Sequence, residues 1–292
     1  MNTTFKTSLT LGTLLLVAST AATQDFGGTP TPVSAVKRAC DARGGIDAFR
    51  TLGIVGVRVN REEVTQDGQA TTATKTLYFL APGPIPGRTE DQQLRVIAAD
   101  DGSGGWALVG GQVDSRPSTN YMVKRLLQGD LFPLLLPFSL TWDGVTVADV
   151  AAATVDGQPV WRLKVDLART FFHTPQISTS WTVDLDRKTF ALLRAASPAT
   201  DLGKGIKADG MLFAWSDPVK LGGVLLPAVQ RVTGLDEEGV EKSHSRVDHI
   251  TYKQMAPQTA ETLFGNPIPP DQRPKPPSAQ PPAGQPQTKP GG

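Results

Sequence analysis

The sequence predicts a mainly antiparallel β fold of the α+β class, an unclosed, curved β half-barrel wrapped around a few helices. Several consecutive segments alternate apolar and polar residues with a period of two, and few helical segments interrupt them. A twisted sheet of about eight or more strands with one apolar face tends to curl. We therefore expect its concave side to be filled by side chains, by helices or by a ligand.

The first predicted element is a helix in the segment PVSAVKRACDARGG. Apolar residues recur at helical spacing from Val33 to Cys40, Pro32 stands near the start, and Gly44 and Gly45 are placed to end the helix. The period then changes to two at residues 55–60, which predicts the first strand.

The clearest alternation is WRLKVDL, residues 161–167, where Trp, Leu and Val residues oppose Arg, Lys and Asp. The segment WTVDLD, residues 181–186, repeats this sidedness, and the turn DRKT leads into FALLRAAS, which predicts an antiparallel hairpin. Further strands are predicted in MLFAWS, GGVLLPAVQRVTG and SRVDHITYK. One face of the sheet should be in contact with water.

A second helix is predicted in STNYMVKRLLQGD, with Ser118 or Thr119 as its N-cap and Gly129 as its end. The stretch that follows, residues 131–138, contains six large apolar side chains and is too apolar for an ordinary surface loop. Another part of the protein must therefore cover these apolar side chains.

The two ends of the chain differ in composition from the middle. One cation, a short apolar run and small residues predict a cleavable signal peptide cut after Ala21 or Ala22, with no cysteine there for lipid attachment. We therefore expect a periplasmic or secreted protein without a stable membrane span. The predicted organisation is a signal peptide at 1–22, a linker at 23–32, one domain at 33–266 and a disordered proline-rich tail at 267–292.

Charge and cysteine content exclude two classes of protein. The net charge is +1 and both signs are interspersed, so the chain lacks the basic stripe typical of nucleic-acid binding. Cys40 is the only cysteine, which excludes an intrachain disulfide and favours a buried structural thiol over a reactive one.

The chain contains no recognisable catalytic motif, and we predict neither an enzyme nor a cofactor. His244 and His249 are five residues apart on a predicted strand, which places them on opposite faces and disfavours a shared metal. His173 stands alone in a predicted loop. The acidic pair Asp184 and Asp186 could in principle serve a hydrolase, but both are expected to point into solvent.

The order of the elements resembles the LolA/LolB-like family of periplasmic lipoprotein carriers. The resemblance covers residues 33–264 and depends on the GG after the first helix, the VDLDRKT turn and the GGVLLP segment. It implies an unclosed antiparallel barrel that wraps around helices and shelters lipid chains. The sequence departs from the carriers in its extra proline-rich tail and in having no lipobox, so the resemblance implies the fold and an apolar cavity but not the acceptance of lipoproteins or membrane attachment.

The resemblance and the apolar face together predict a monomeric, non-catalytic binding protein for a lipid, an acyl chain or a lipoprotein moiety. The alternatives are a structural or sensory envelope module that binds a protein partner and has a filled interior, or a hydrolase. Four tryptophans could line a ligand cavity or simply fill the core, namely Trp106, Trp161, Trp181 and Trp215. The predicted cavity wall comprises Trp161, Leu163, Trp181, Val183, Phe213 and Trp215, and the predicted lid comprises Met122, Leu126, Phe132, Leu135 and Phe138.

The predicted cleavage of the signal peptide can be tested by mass spectrometry. The intact mass of the secreted protein should lack about the first 22 residues, because signal peptidase cuts after small residues that follow the apolar run. Mass spectrometry of the mature protein measures this directly, and a mature form that retains Met1 would contradict the prediction.

Overall fold

The computed structural model describes residues 28–65, 67–116, 118–168, 171, 180–201 and 207–269. The predicted signal peptide, His173 and the chain beyond residue 269 lie outside these residues. The helices are α1 (Pro32–Asp41), α2 (Ile46–Arg50), α3 (Thr119–Leu134) and α4 (Ala260–Phe264), with 3-10 turns at Phe138–Thr141 and Pro257–Thr259. None of the helices in the described ranges is long and apolar enough to cross a bilayer.

The strands account for most of the described chain. They are β1 (Ile54–Val64), β2 (Ala70–Leu80), β3 (Gly87–Asp91), β4 (Val96–Asp100), β5 (Gly105–Val109), β6 (Gln112–Val113), β7 (Val145–Val155), β8 (Gln158–Leu167), β9 (Ser180–Asp186), β10 (Leu192–Ser197), β11 (Thr200–Asp201), β12 (Lys207–Ala208), β13 (Gly210–Leu221), β14 (Val224–Leu235) and β15 (Glu241–Gln254).

Thirteen of these strands form one curved sheet in the order β6-β5-β4-β3-β2-β1-β15-β14-β13-β10-β9-β8-β7. Every neighbouring pair in this sheet is antiparallel, and β11 and β12 form a separate small hairpin. The first and last long strands, β1 and β15, pair in the middle of the sheet. The sheet does not close, so the predicted fold class is confirmed.

The connection between β6 and β7 crosses the whole sheet, because these strands form its two opposite edges. Helix α3 and the 3-10 turn that follows it make this crossing. We call the sheet face against which they pack the inner face. We call residues 131–142, which are almost entirely buried there, the plug.

Helix α3 does not end at Gly129, as the sequence predicts, but continues to Leu134. A glycine inside a helix costs about 1 kcal/mol relative to alanine. Burying one large apolar side chain is worth roughly 1.5–3 kcal/mol, so the apolar residues after Gly129 outweigh that cost by packing on the sheet. Tertiary contacts therefore override the local stop signal.

The glycines after α1 allow its turn to lie directly on the turn between β13 and β14. Gly44 has a φ of +107°, and a Cβ added to it would lie 2.4 Å from the carbonyl oxygen of Gly223. The backbone N–H of Leu225 donates to the carbonyl of Arg43 at 2.8 Å. Two of the three segments that support the family resemblance are thus in contact with each other.

The outer face is polar, but Asp184 is not in solvent as predicted. Its carboxylate is 3% exposed and accepts hydrogen bonds from Arg162 at 2.7 and 2.9 Å and from Arg194 at 2.9 Å. The neighbouring strands β8 and β10 place these two arginines beside it. The carboxylate is therefore covered by its own ion pairs.

The segment after β15 packs on the outer face of β4 and β5. Ile268 is 2% exposed and lies with Ala99 and Trp106 in a small apolar cluster. The indole N–H of Trp106 donates to the carbonyl of Phe264 at 3.4 Å, and Arg88 donates to that of Leu263 at 3.2 Å. The packed chain therefore reaches Ile268, beyond the boundary expected at residue 266.

Two truncations test this boundary. Ending the chain after Pro270 should leave the free energy of unfolding unchanged, because the removed residues are almost devoid of apolar side chains. Ending it after Asn266 should lower that free energy by roughly 1.5–3 kcal/mol through loss of the buried Ile268 side chain. Urea unfolding of both variants and the full chain measures the difference, and equal stability of all three would contradict it.

Candidate functional site

The predicted wall residues lie together on the inner face of β8, β9 and β13. All are in or against the main apolar core, and only Trp215 is half-buried. The rings of Trp181 and Phe213 stack at 5.3 Å, and those of Phe213 and Trp215 stack at 6.4 Å. Trp161 of β8 lies on the same inner face, away from these stacked rings, and its indole N–H donates to the carbonyl of Arg187 at 3.2 Å.

The structure divides the predicted lid into two parts. Phe132, Leu135 and Phe138 belong to the plug, are fully buried and share the main core with the wall. The half-buried Met122 and Leu126 lie in a separate cluster on the first part of α3, against Ala98 of β4 and Ala107 of β5. The lid residues that meet the wall are therefore those from the plug.

Aromatic ring contacts join the plug to the sheet and to α2. The ring of Phe132 meets the ring of Trp181 edge-on at 5.1 Å, and the ring of Phe138 stacks on Phe49 of α2 at 4.3 Å. The indole of Trp142 donates to the carbonyl of Pro82 at 2.6 Å. The plug is thus fixed to the sheet and to α2 mainly by packing.

Two indole groups on the wall have no hydrogen-bond partner within the described part of the chain. They are the buried Nε1 atoms of Trp181 and Trp215. Buried indole N–H groups usually find an acceptor, and leaving one without a partner costs about 1–3 kcal/mol. These two donors therefore mark positions where a water molecule or a ligand oxygen would be stabilised.

A pocket of about 110 Å³ opens between the second half of α3 and strands β1, β2, β13, β14 and β15. It is small beside the roughly 300–1,000 Å³ of ordinary small-molecule sites. Phe213 is the only predicted wall residue in its lining. The full lining is Val59, Arg61, Lys75, Leu77, Gly129, Asp130, Pro133, Leu134, Met211, Phe213, Gln230, Arg246, Asp248 and Ile250.

Charged side chains distinguish this pocket from the apolar wall of β8, β9 and β13. Asp248 is buried between Arg61, which donates to it at 2.9 Å, and Arg246, whose Nε lies 3.1 Å from it. Lys75 pairs with Asp130 of α3. Burial lowers the pKa of Arg246 against the opposing effect of Asp248. Burial is the largest single influence on the pKa of Arg61 and lowers it, but the hydrogen bond and charge of Asp248, together with the charges of Asp130 and Glu63, raise the pKa above its ordinary value.

This charged cluster is not among the predicted site residues, although the sequence contains a signal for it. The inner-face positions of β1 change from valines at 55, 57 and 59 to Arg61, and those of β15 change from Ile250 to Asp248 and Arg246. A strand face that turns from apolar to charged indicates a change of environment. The partners across β1 and β15 could not be read from the sequence.

The other groups considered for chemistry have structural roles. Asp186 Oδ1 accepts hydrogen bonds from the backbone N–H groups of Lys188 and Thr189, which fixes the hairpin turn. Burial opposes these bonds, but together with others they lower the pKa of Asp186. His244 contacts Glu63 at 2.7 Å, whereas His249 lies 3.9 Å from Glu62, so the two histidines lie on opposite faces as predicted.

The thiol of Cys40 offers a probe of the plug. Cys40 is 2% exposed, its Sγ donates to the carbonyl of Pro137 at 3.8 Å, and burial raises its pKa to about 12. A thiol with this pKa is almost entirely protonated at pH 8 and reacts slowly. We expect the native protein to resist alkylation at pH 8 and to be labelled at once in denaturant. Rapid labelling of the native protein, measured by mass, would contradict the seated position of the plug.

Comparison with known proteins supports the fold. No family model and no curated protein sequence matches the chain. A LolA superfamily protein from Nitrosomonas europaea superposes with a TM-score of 0.54 at 12% identity, covering 81% of this chain and 98% of that protein. A domain described as outer membrane lipoprotein-sorting from Vibrio parahaemolyticus gives 0.49 at 12% identity, covering 78% and 96%. A DUF1329 family protein from Desulfovibrio piger gives 0.48 at 13% identity, covering 79% and 98%.

The fold assignment rests on the first of these structures, whose TM-score is the highest of the three. The match spans nearly the whole of that protein, so the likeness concerns the complete architecture and not one hairpin. At this identity it concerns the fold alone. The curved, unclosed sheet with its inner helices is therefore a LolA-like fold, as the order of elements in the sequence predicted.

Proposed function

We propose that this chain is a non-catalytic binding protein of the cell envelope that carries a lipid, an acyl chain or a lipoprotein moiety. The ligand would lie on the inner face of the sheet, in the space that the plug occupies in this structure. The observation that supports this most directly is the apolar wall of β8, β9 and β13, which is covered by one crossing segment that belongs to no strand. The LolA-like fold supports the same proposal.

The free energy gained by burying the plug side chains is similar in size to that gained by burying an acyl chain. Six large apolar side chains between residues 131 and 138 gain roughly 9–18 kcal/mol from burial at about 1.5–3 kcal/mol each. An acyl chain of about sixteen carbons gains roughly 13 kcal/mol at about 0.8 kcal/mol per methylene. The burial free energy lost when the plug leaves the wall is thus nearly balanced by the burial free energy gained when an acyl chain takes its place. A carrier needs such a balance, because it must both bind and release its ligand.

The pocket beside the plug is too small to hold a long chain, so binding requires the plug to move. The strands of the sheet are held by hydrogen bonds to their neighbouring strands, and only at the start of β7, where the N–H of Val145 donates to the carbonyl of Trp142 at 3.1 Å, does a described strand backbone bond to the plug. The plug can therefore leave the wall without breaking the ladder. In this mechanism the ligand selects an open state in which the plug is displaced, and its apparent affinity depends on the cost of that opening.

One observation favours a second candidate, a structural or sensory module that binds a protein partner. The plug residues Phe132, Leu135 and Phe138 are completely buried, as expected for an interior that is permanently filled. Mass spectrometry of an organic-solvent extract of the native protein separates the two. Co-purified lipid supports the carrier. If no lipid is extracted and no acyl probe binds to the purified protein, the structural module is favoured.

A matched pair of variants tests the plug. Leu135→Ala should destabilise the closed state by about 2–5 kcal/mol and, because opening becomes cheaper, raise the affinity for a fluorescent acyl probe at least tenfold. Leu127→Ala removes the same atoms from an equally buried site on α3, in the separate cluster away from the wall. It should lower stability and leave probe affinity unchanged.

Probe titration and urea unfolding of the three proteins measure both quantities, and alkylation of Cys40 reports the movement itself. Saturating probe should speed the alkylation, because a displaced plug exposes the thiol beside Pro137. Equal effects of the two substitutions on affinity, or a thiol still protected in the loaded protein, would contradict displacement of the plug.

A further inference from the structure

The pocket beside the plug contains hydrogen-bond donors that the described protein groups do not use. Gln230 is 4% exposed, and its Nε2 has no hydrogen-bond partner in the described ranges. The Nε of Arg246 lies near Asp248 but makes no hydrogen bond with it or with any other described group. Native proteins rarely leave buried donors without an acceptor, so each one requires an explanation.

The strand register places these donors side by side. Gln230 of β14 is opposite Trp215 on one side and opposite Asp248 on the other, and Asp248 is in turn opposite Arg61 of β1. Arg246 lies two residues before Asp248 on the same face of β15. The pocket is therefore bounded by a polar row across the three strands β1, β15 and β14, which continues into the aromatic wall at Trp215 of β13.

The charges of the lining leave an excess of one positive charge. Arg61, Lys75 and Arg246 are cationic, whereas Asp130 and Asp248 are anionic. Outside the lining, Glu63 is opposite Arg246 in the strand register, contacts His244 at 2.7 Å and offsets part of this positive charge. Both unused donors belong to the same pocket as this excess charge. An acceptor with a negative charge would satisfy the donors and be attracted by the cationic side chains of the lining.

We propose that this pocket binds the anionic head group of an amphipathic ligand, whose oxyanion accepts hydrogen bonds from Gln230 Nε2 and Arg246 Nε. The apolar part of the ligand would pass over Phe213 and Leu134, which line the same pocket, toward the wall. This inference rests on the proposed function and specifies its ligand as a single-chain anion with a carboxylate or phosphate head group.

The test compares ligands that share one chain and differ in charge. Palmitate has a carboxylate, monopalmitin is an uncharged ester, and palmitoyl lysophosphatidic acid has a phosphate. Displacement of a fluorescent acyl probe measures their affinities. We expect the wild-type protein to bind at least one of the two anions tenfold or more tighter than monopalmitin. The better of the two anions identifies whether the head group comes from a fatty acid or a phospholipid.

Gln230→Leu keeps the volume and removes the unused donor, so it should melt no lower than the wild type and should reduce the preference for the anion. Arg246→Met should reduce it further. Arg231→Met is the matched control, because Arg231 is adjacent in sequence but lies exposed on the outer face of β14. It should leave the preference unchanged.

The outcomes separate this inference from the proposed function. Equal affinities for charged and uncharged ligands, or an anion preference that persists in Gln230→Leu and Arg246→Met, would overturn the head-group site and retain the carrier. Failure of all three ligands to bind the wild-type protein would overturn both. A loss of preference confined to the two pocket variants supports both.

Discussion

The structure depends on one topological constraint: the chain leaves the sheet at β6, on one edge, and re-enters it at β7, on the other. A connection between opposite edges of a thirteen-stranded curved sheet must cross one face, and the apolar inner face is where its burial is most favourable. Helix α3 and the plug make this crossing. The helices at the N-terminus then pack on the plug through Phe49, which stacks on Phe138, and through Cys40, which contacts Pro137. The sheet supplies the frame, and the crossing segment determines what space remains inside it.

The inner face has two chemically different regions. Around the plug it is apolar and aromatic, with Phe132 packed edge-on against Trp181. Beside the plug it contains ion pairs around Asp248. Buried ion pairs usually stabilise a fold no more than apolar residues of similar volume, because desolvation offsets their attraction. A charged cluster beside the apolar plug and wall is therefore poorly explained by stability alone. Binding of a polar group gives it a physical reason.

The plug and the sheet are stabilised by different forces. Strand pairing fixes the sheet through backbone hydrogen bonds along every ladder, whereas dispersion and the hydrophobic effect hold the plug. A ligand of similar apolar area can replace the second kind of contact but not the first. This division lets the interior rearrange while the frame persists.

The sequence by itself determined the local elements and the order that identifies the fold, because alternation and helical spacing depend on neighbouring residues. Helix α1 and the strands β8 and β9 lie where those patterns predicted them. Only the tertiary structure decided which side chains meet. Asp184 is buried because β8 and β10 bring arginines to it, and α3 continues past Gly129 because the sheet covers the residues that follow. The charged pocket needed Arg61 and Asp248, 187 residues apart in sequence, to be opposite each other on paired strands. Strand register is a non-local property, so no local periodicity could reveal it.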